Sequence, residues 1–377
     1  MTETKRKVCF FSGDITRSGG TERVAVLIAG QIALRKKWEV VFLSIVEQRE
    51  TMFFEPVLEI PRYVLSESKK WITPGPGYIP LVPRLRKFIK EKQIDVMVDI
   101  DVILDLLTVP AMVGQNVKLI AWEHFHYHYE WPSPVYRKFR KISSHLTARY
   151  ADYIVTLTEQ DTENYQKELG RKENISAIYN PMEFIGNLQE EIKRENILIT
   201  VGRLTRVKGI DLLVKIIPEI LKRHKDWKWY VLGEGEEREL LEQICEMHHL
   251  QEQLILTGNV PDVEVYLQRA SIYVMTSRAE GLPMCLLEAM ACGVACVSFD
   301  IQTGPAEIIE DGENGFLIPA FDLRQMEEKI ELLIEDRFLR QKFSNNTAKN
   351  KEKFDVHEIT DQWEVLLERM FSGNKRK

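Results

Sequence analysis

At about 150 residues per domain, the 377 residues (44.0 kDa) have room for two to three domains. Hydrophobic residues are 44% and charged residues 29%, which excludes collagen-like and wholly disordered chains, and no apolar run approaches the roughly 18 residues of a membrane span. The net charge of −6 is unevenly spread: residues 1–180 hold 26 Lys+Arg against 22 Asp+Glu and residues 181–377 hold 25 against 35, so an anionic partner is expected for the first half. Lys5-Arg6-Lys7 is followed by only Val8–Phe11, too short a core for a secretory leader. The five cysteines, Cys9, Cys245, Cys285, Cys292 and Cys296, are odd in number and form no C-x-x-C pair, the usage of free thiols in a reducing compartment. A cytosolic chain is expected.

Short apolar runs alternate with amphipathic stretches along the whole chain. The runs are Val8–Phe11, Val40–Leu43, Val96–Ile100, Leu119–Trp122, Tyr153–Leu157 and Ile175–Tyr179, then Ile197–Val201, Trp229–Leu232, Leu254–Thr257, Ile272–Thr276, Val294–Phe299 and Phe316–Ile318. Runs of this length and composition read as buried strands. Between them, Val24, Leu27, Ile28 and Ile32 share one helical face, as do Leu212, Leu213, Ile216, Ile217, Ile220 and Leu221. Such alternation implies right-handed βαβ units and two doubly wound parallel sheets. The break is expected after Asn180-Pro181, where polar Asn187–Asn196 precedes a fresh strand. The expected domains are 1–182 and 183–353, with 354–377 a helix that returns to the first domain and ends in a disordered basic tail, Gly373–Lys377. Ligands of such sheets bind beyond the carboxyl ends of the strands.

Three strand ends carry chemistry. The first strand leads into Ser18-Gly19-Gly20-Thr21-Glu22-Arg23-Val24, where glycines and a helix N-terminus suit an anion, or equally a plain tight turn. The seventh ends in Gly202-Arg203-Leu204-Thr205-Arg206-Val207-Lys208-Gly209, whose two cations five residues apart suit a diphosphate or are solvated loop charge. The tenth leads into Ser277–Gly293, with Pro283 at a helix start, Gly293 at its C-terminal cap, and Met284, Leu287 and Ala291 on the buried side. Glu280 precedes this helix and Glu288 lies in its second turn. Two such carboxylates accept hydrogen bonds from vicinal hydroxyls, although a lone Glu in a first turn is usually a dipole partner.

Gly202-Arg203…Lys208-Gly209, Glu280-x7-Glu288 within A-E-G-L-P…E-A-M-A-C-G, Thr303-Gly304-Pro305-Ala306-Glu307 and Asp311-Gly312-Glu313-Asn314-Gly315 together resemble the retaining glycosyltransferases of family 4. Gly19-Gly20-Thr21-Glu22-Arg23 and Trp122-Glu123-His124 extend the resemblance to the first half, in a form common among bacterial enzymes that build surface polysaccharides. The resemblance implies the GT-B fold, two facing Rossmann-like domains with the active site in the cleft between them. It implies a nucleotide-diphosphate sugar donor, a UDP-sugar above others, and a glycan or lipid-linked glycan acceptor. Arg203 and Lys208 match the diphosphate clamp, Glu288 the ribose-binding carboxylate, and Glu280 the carboxylate near the donor sugar. Gly258-Asn259-Val260 stands where the base is held, and Gly281-Leu282 offers N–H groups to sugar or phosphate oxygens. Gly19 and Gly20 approach the diphosphate from the other domain, and His124 contacts the donor sugar. The catalytic set implied is Glu280, His124, Arg203 and Lys208, with front-face attack, no enzyme nucleophile, no metal and no cofactor.

Other signals are weaker. Asp99-Ile100-Asp101 is a D-x-D string, which binds manganese in the other glycosyltransferase fold, and His124, His126 and His128 alternate like zinc ligands with no third ligand at a familiar spacing. Pro134–Arg149 and Leu81–Lys92 are basic. In the former, Val135, Phe139, Ile142 and Leu146 form one stripe, and Arg137, Lys138, Arg140, Lys141 and Arg149 add charge. Either the stripe faces the core, or both segments meet an anionic membrane surface on the inner face of the cell membrane. No nucleic-acid module is present. The alternatives to transfer are a sugar-nucleotide epimerase, a phosphorylase of the same fold, or a silent nucleotide-sugar-binding protein.

Overall fold

The computed structural model describes residues 5–131, 133–182, 194–347 and 352–372. Residues 187–193 of the expected polar link and the expected tail Gly373–Lys377 lie outside them. The chain divides into two compact units, one of Met182–Asp355, the other of the residues up to Pro181 together with those from Val356 onward.

The first unit is built on β1 (Lys7–Ser12), β2 (Glu39–Ser44), β3 (Arg62–Val64), β4 (Val96–Ile100), β5 (Lys118–Trp122), β6 (Tyr153–Thr156) and β7 (Ile175–Ala177). They form one parallel sheet in the order β3-β2-β1-β4-β5-β6-β7. Its helices are α1 (Gly20–Leu34), α2 (Leu81–Lys92), α3 (Asp105–Met112), α4 (Pro134–Tyr150), α5 (Glu159–Leu169) and, from the end of the chain, α13 (Val356–Ser372). β3 was not legible as an apolar run: Arg62-Tyr63-Val64 is a half-exposed edge strand whose backbone pairs with Phe42–Ser44. An edge needs hydrogen bonds more than a buried side-chain pattern. The return of α13 rests on Trp363, fully buried with its ring 4.6 Å from Trp122 and 6.4 Å from Phe10, and on an Arg35–Glu364 ion pair at 3.0 Å.

The second unit contains β8 (Ile197–Val201), α6 (Ile210–Arg223), β9 (Lys228–Leu232), α7 (Arg238–Met247), β10 (Leu254–Gly258), α8 (Glu264–Arg269), β11 (Ile272–Met275), α9 (Met284–Ala291), β12 (Ala295–Asp300), α10 (Pro305–Ile308), β13 (Gly315–Pro319), α11 (Leu323–Glu335) and α12 (Arg337–Thr347). Its six strands are parallel in the order β10-β9-β8-β11-β12-β13. The apolar face of α6, Leu212, Leu213, Ile216, Ile217, Ile220 and Leu221, is buried against this sheet with Trp229 and Phe299. Helix α9 starts one residue after Pro283, and its buried face is Leu286, Leu287, Glu288, Ala289, Met290 and Ala291; Met284 is only half-buried. All five cysteines are free. Among the described residues no helix is long and apolar enough to cross a membrane.

Helix α4 buries a polar face, and of the stripe left open as core-facing, Phe139 is packed half-buried against the core. Its buried residues are Arg140, Ser143, Ser144 and Thr147, while Val135 is 65% and Ile142 43% exposed. The loop after β4 explains the inversion, because it presents buried acceptors that an apolar face would leave unpaired. Ser143 donates to the Val102 carbonyl, and Thr147 donates to Asp105 and to the Ser143 carbonyl. Arg140, read from the sequence as one of five solvated charges, is 7% exposed: it donates to Asp101 and to both carboxylate oxygens of Glu123, with the Phe125 and Trp131 rings 5.9 and 5.6 Å from its guanidinium carbon. Tyr165 also donates to Glu123. Arg140→Met leaves two buried carboxylates without their counter-charge, which costs about 3–5 kcal/mol. Denaturant unfolding of the first unit should register that loss, whereas Lys138→Met on the exposed face should stay within about 0.5 kcal/mol of wild type; equal midpoints for the two variants would remove the hub.

Candidate active site

In the second unit, chain order reverses between β8 and β11, so their loops diverge to opposite sides and leave a crevice at the carboxyl edge, the place where ligands of such sheets bind. The loop after β8 carries Arg203 and Lys208; the loop after β11 carries Glu280, Gly281 and Leu282. Gly209, with φ +71, closes the gap between them, since a Cβ there would collide with the Thr276 carbonyl. Thr276 in turn donates to the carbonyls of Lys208 and Gly209 at 3.2 and 3.1 Å, and Arg278 N–H donates to the Val207 carbonyl at 2.7 Å. Arg278 also pairs with Asp211 at the start of α6.

This clamp brings Lys208 Nζ to 2.6 and 2.9 Å from the two carboxylate oxygens of Glu280. Burial pushes the Lys208 ammonium down, the Glu280 charge and hydrogen bond push it up, and the net direction is up. Thr303 donates to the Glu280 carbonyl at 2.7 Å and so ties the loop before α10 to the same residue. The sequence pointed to Thr303 only as part of a motif, without a role for it. Arg203 is exposed beside Lys208, and its guanidinium has no hydrogen bond or ion pair among the described residues. Glu288 is buried on α9, and it and Glu280 both act on Tyr273 of β11, whose hydroxyl burial raises first and these charges raise further. Arg203, Lys208, Glu280, Gly281, Leu282 and Glu288 therefore gather around one strand pair. Gly258 ends β10, two strands from β8, and Asn259-Val260 follow it; Gly258, at φ +72, accepts the Gly233 N–H at 2.9 Å through its carbonyl.

The remaining expected residues belong to the first unit. Gly19 is the N-cap of α1 and Gly20 its first residue, with the Glu22 carboxylate turned back beside Gly19. His124 follows β5, is 6% exposed, and its ring centroid lies 4.4 Å from that of Trp122. Its Nε2 has no hydrogen-bond partner among the described residues. The adjoining rings of Phe125, Tyr129, Trp131 and Tyr136 pack on one another. The D-x-D string is committed elsewhere: Asp101 to Arg140 and to the Ile103 N–H, and Asp99, its carboxyl raised by burial, to a place beside Asp105 and Thr108. Among the described residues no group of three His, Cys, Asp or Glu is placed to hold a metal ion.

Burial, and then the nearby Arg140 charge, lower His124 to about 3. With the folded value below the ordinary one near 6.5, its neutral ring contributes stability that is complete above about pH 6.5 and is lost as pH falls toward the folded value. The His124 ring protons should accordingly show no titration between pH 5 and 8 by NMR; an inflection near 6.5 would contradict the buried neutral ring.

The family model "Glycosyl transferases group 1" matches residues 185–350, and "Glycosyltransferase Family 4" matches residues 18–183. An uncharacterized glycosyltransferase of Haemophilus influenzae is 29% identical over 362 residues, 96% of this chain and 100% of that protein. A Campylobacter jejuni α-1,4-N-acetyl-D-galactosaminyltransferase, named for a diphospho-undecaprenol-linked glycan substrate, is 25% identical over 93% of this chain and 95% of its own length. HepE of Anabaena, solved with UDP, shares the fold at a TM-score of 0.78 and 20% identity, over 96% of this chain and 100% of that one. With two parallel Rossmann-like sheets, a cation–carboxylate site at a switch point and both halves matched, the chain belongs to the GT-B glycosyltransferases of family 4.

Proposed function

We propose that the protein transfers a hexosyl group, with retention, from a UDP-sugar to a glycan carried on a lipid diphosphate in surface-polysaccharide synthesis. The observation that carries this reading is the Lys208–Glu280 pair at the β8/β11 switch point, with the uncommitted Arg203 beside it. Arg203 and Lys208 hold the donor diphosphate. As the bond from the anomeric carbon to the phosphate oxygen breaks, charge grows on that oxygen, and fixed cations stabilise it more than they stabilise the bound donor. The acceptor hydroxyl attacks from the same face, its oxygen bonds to the anomeric carbon, and its proton passes to the departing phosphate. Glu288 accepts hydrogen bonds from the ribose hydroxyls. Glu280, tied to Lys208, faces the sugar, and neutral His124 offers a hydrogen bond from the first unit. Gly19 and Gly20 give the diphosphate close backbone approach, and the Gly258-Asn259-Val260 loop takes the base. The substrate named for the Campylobacter relative supports the lipid-linked acceptor. So does the basic surface of α2 and α4, which suits an anionic bilayer on the cytoplasmic side.

Arg203→Ala should weaken UDP-sugar binding and slow transfer by roughly 10–100-fold, since a charge-assisted hydrogen bond contributes about 1.5–3 kcal/mol. Glu280→Ala should slow transfer while binding free UDP no more weakly than wild type, because Lys208 loses a competing partner; Glu288→Ala should weaken free UDP. Calorimetry with UDP and single-turnover transfer separate these outcomes. Unchanged turnover in Arg203→Ala, or equal loss of UDP affinity in both glutamate variants, would defeat the assignment.

Each Lys or Arg close to an anionic bilayer contributes about 1 kcal/mol. Arg137, Lys138 and Lys141 changed together to Glu should therefore abolish salt-sensitive co-sedimentation with phosphatidylserine vesicles. Arg140 is left intact because it is buried. Equal sedimentation of wild type and the triple variant would leave a soluble acceptor as the better reading.

A further inference from the structure

The loop that carries His124 is pinned at alternate N–H groups. As the chain leaves β5, the Glu123 N–H donates to the Val155 carbonyl of β6 at 2.8 Å. Two residues on, the Phe125 N–H donates to Oε1 of Glu123 itself at 2.9 Å. After two more, the Tyr127 N–H donates to Oδ1 of Asp161 at 2.8 Å. The bond from Phe125 back to Glu123 closes a short ring around the backbone of His124, which cannot turn without breaking it.

This strap is itself anchored from two helices. Glu123 is fully buried, and its carboxylate accepts from the Arg140 guanidinium of α4 and from the Tyr165 hydroxyl of α5. Asp161 and Tyr165 stand four residues apart on α5, hence on one face, and both bond to the loop or its strap. Thr158 caps that helix by accepting the Asp161 N–H at 3.1 Å, and the Asn164 amide donates to Asp161 Oδ1 at 3.2 Å, which fixes the face. The His124 ring is held from its other side by Trp122, 4.4 Å away and itself buried against Trp363. Its Nε2 is buried without a partner among the described residues, a costly state that a ring free to turn would leave. Stability alone does not call for such a carboxylate, since an apolar side chain of like size fills a core as well. What three donor groups on one buried carboxylate add is direction.

Resting on the place that the proposed function gives His124 at the donor sugar, we propose that Glu123, anchored by Arg140 and Tyr165, is a positioning residue for sugar transfer. Through the Phe125 N–H it holds His124 in the orientation that the transition state needs, while Asp161 holds the far end of the loop. A misplacement of about 1 Å costs on the order of 100-fold in rate. Loosening the strap therefore slows transfer and leaves the nucleotide, which the second unit holds in the proposed function, bound as before.

Single-turnover transfer from the UDP-sugar and calorimetry with UDP are measured for the full chain carrying Glu123→Gln, Tyr165→Phe or His124→Ala, and for the two double variants that join His124→Ala to each of the others. Glu123→Gln should slow transfer roughly 10–100-fold, with UDP affinity at the wild-type value. Tyr165→Phe, which takes one hydroxyl from the strap, should slow it roughly five-fold with the same affinity. In the His124→Ala background neither change should slow transfer further, because residues that act through one another are not additive. Tyr165→Phe removes a single oxygen, so it decides the matter where Glu123→Gln does not fold. Losses that add in full to that of His124→Ala, or wild-type rates in both single variants, overturn the proposal. Slow transfer by His124→Ala beside wild-type rates in Glu123→Gln and Tyr165→Phe removes the strap alone and leaves the proposed function standing. Wild-type transfer by His124→Ala removes the place of His124 in that function, and the strap with it.

Discussion

The ion pair between Lys208 and Glu280 joins two loops that the sheet itself drives apart. At a switch point the chain leaves β8 toward one side and β11 toward the other, so beyond the strand ends the loops share the Arg278 N–H bond to the Val207 carbonyl rather than a continuing ladder. Their union rests on the Thr276 hydroxyl bonds, the close approach that Gly209 permits, the Arg278–Asp211 pair and the Lys208–Glu280 contact. Under the proposed function, these contacts fix the groups that meet the donor's diphosphate and sugar. A preorganised site of this kind stabilises developing charge without reorganisation at the moment of reaction.

The first unit solves a different electrostatic problem. Asp99, Asp101, Asp105 and Glu123 are withdrawn from water at the ends of β4 and β5, with Arg140 the cation set among them. Burial raises Asp99 and lifts Asp105 to about 7, so part of the negative charge is held as neutral acid. The arrangement fixes Glu123, whose carboxylate also accepts the Phe125 N–H at 2.9 Å, and thereby the backbone on either side of His124. It also turns α4 so that its polar face, Arg140, Ser143, Ser144 and Thr147, is buried.

Most of the second unit was legible because its signals are local. Parallel strands buried on both faces read as continuous apolar runs, and helix α6 keeps an unbroken apolar face. The candidate site was legible for the same reason: strand ends, glycines and charged residues sit within a few residues of one another along the chain. What the local pattern left unread was the pairing of β3 and the burial of Arg140, which depend on partners distant in sequence. β3 is defined by its backbone pairing with β2. Arg140 looked like its neighbours Lys138 and Lys141 until the carboxylates of two other strands stood opposite it.

By itself, the sequence determined the parallel α/β architecture, the division into two sheets, and the identity of the cation and carboxylate residues at the strand ends, because apolar periodicity and turn chemistry act over a few residues. Only the tertiary structure decided which charges meet: Lys208 with Glu280 across 72 positions, Arg140 with Glu123 and Asp101, and which face of α4 is buried. The physical reason is that a charged side chain carries no local mark of its burial. Its environment is set by groups that folding brings from elsewhere in the chain, and the cost of leaving those groups unpaired selects which of several similar residues turns inward.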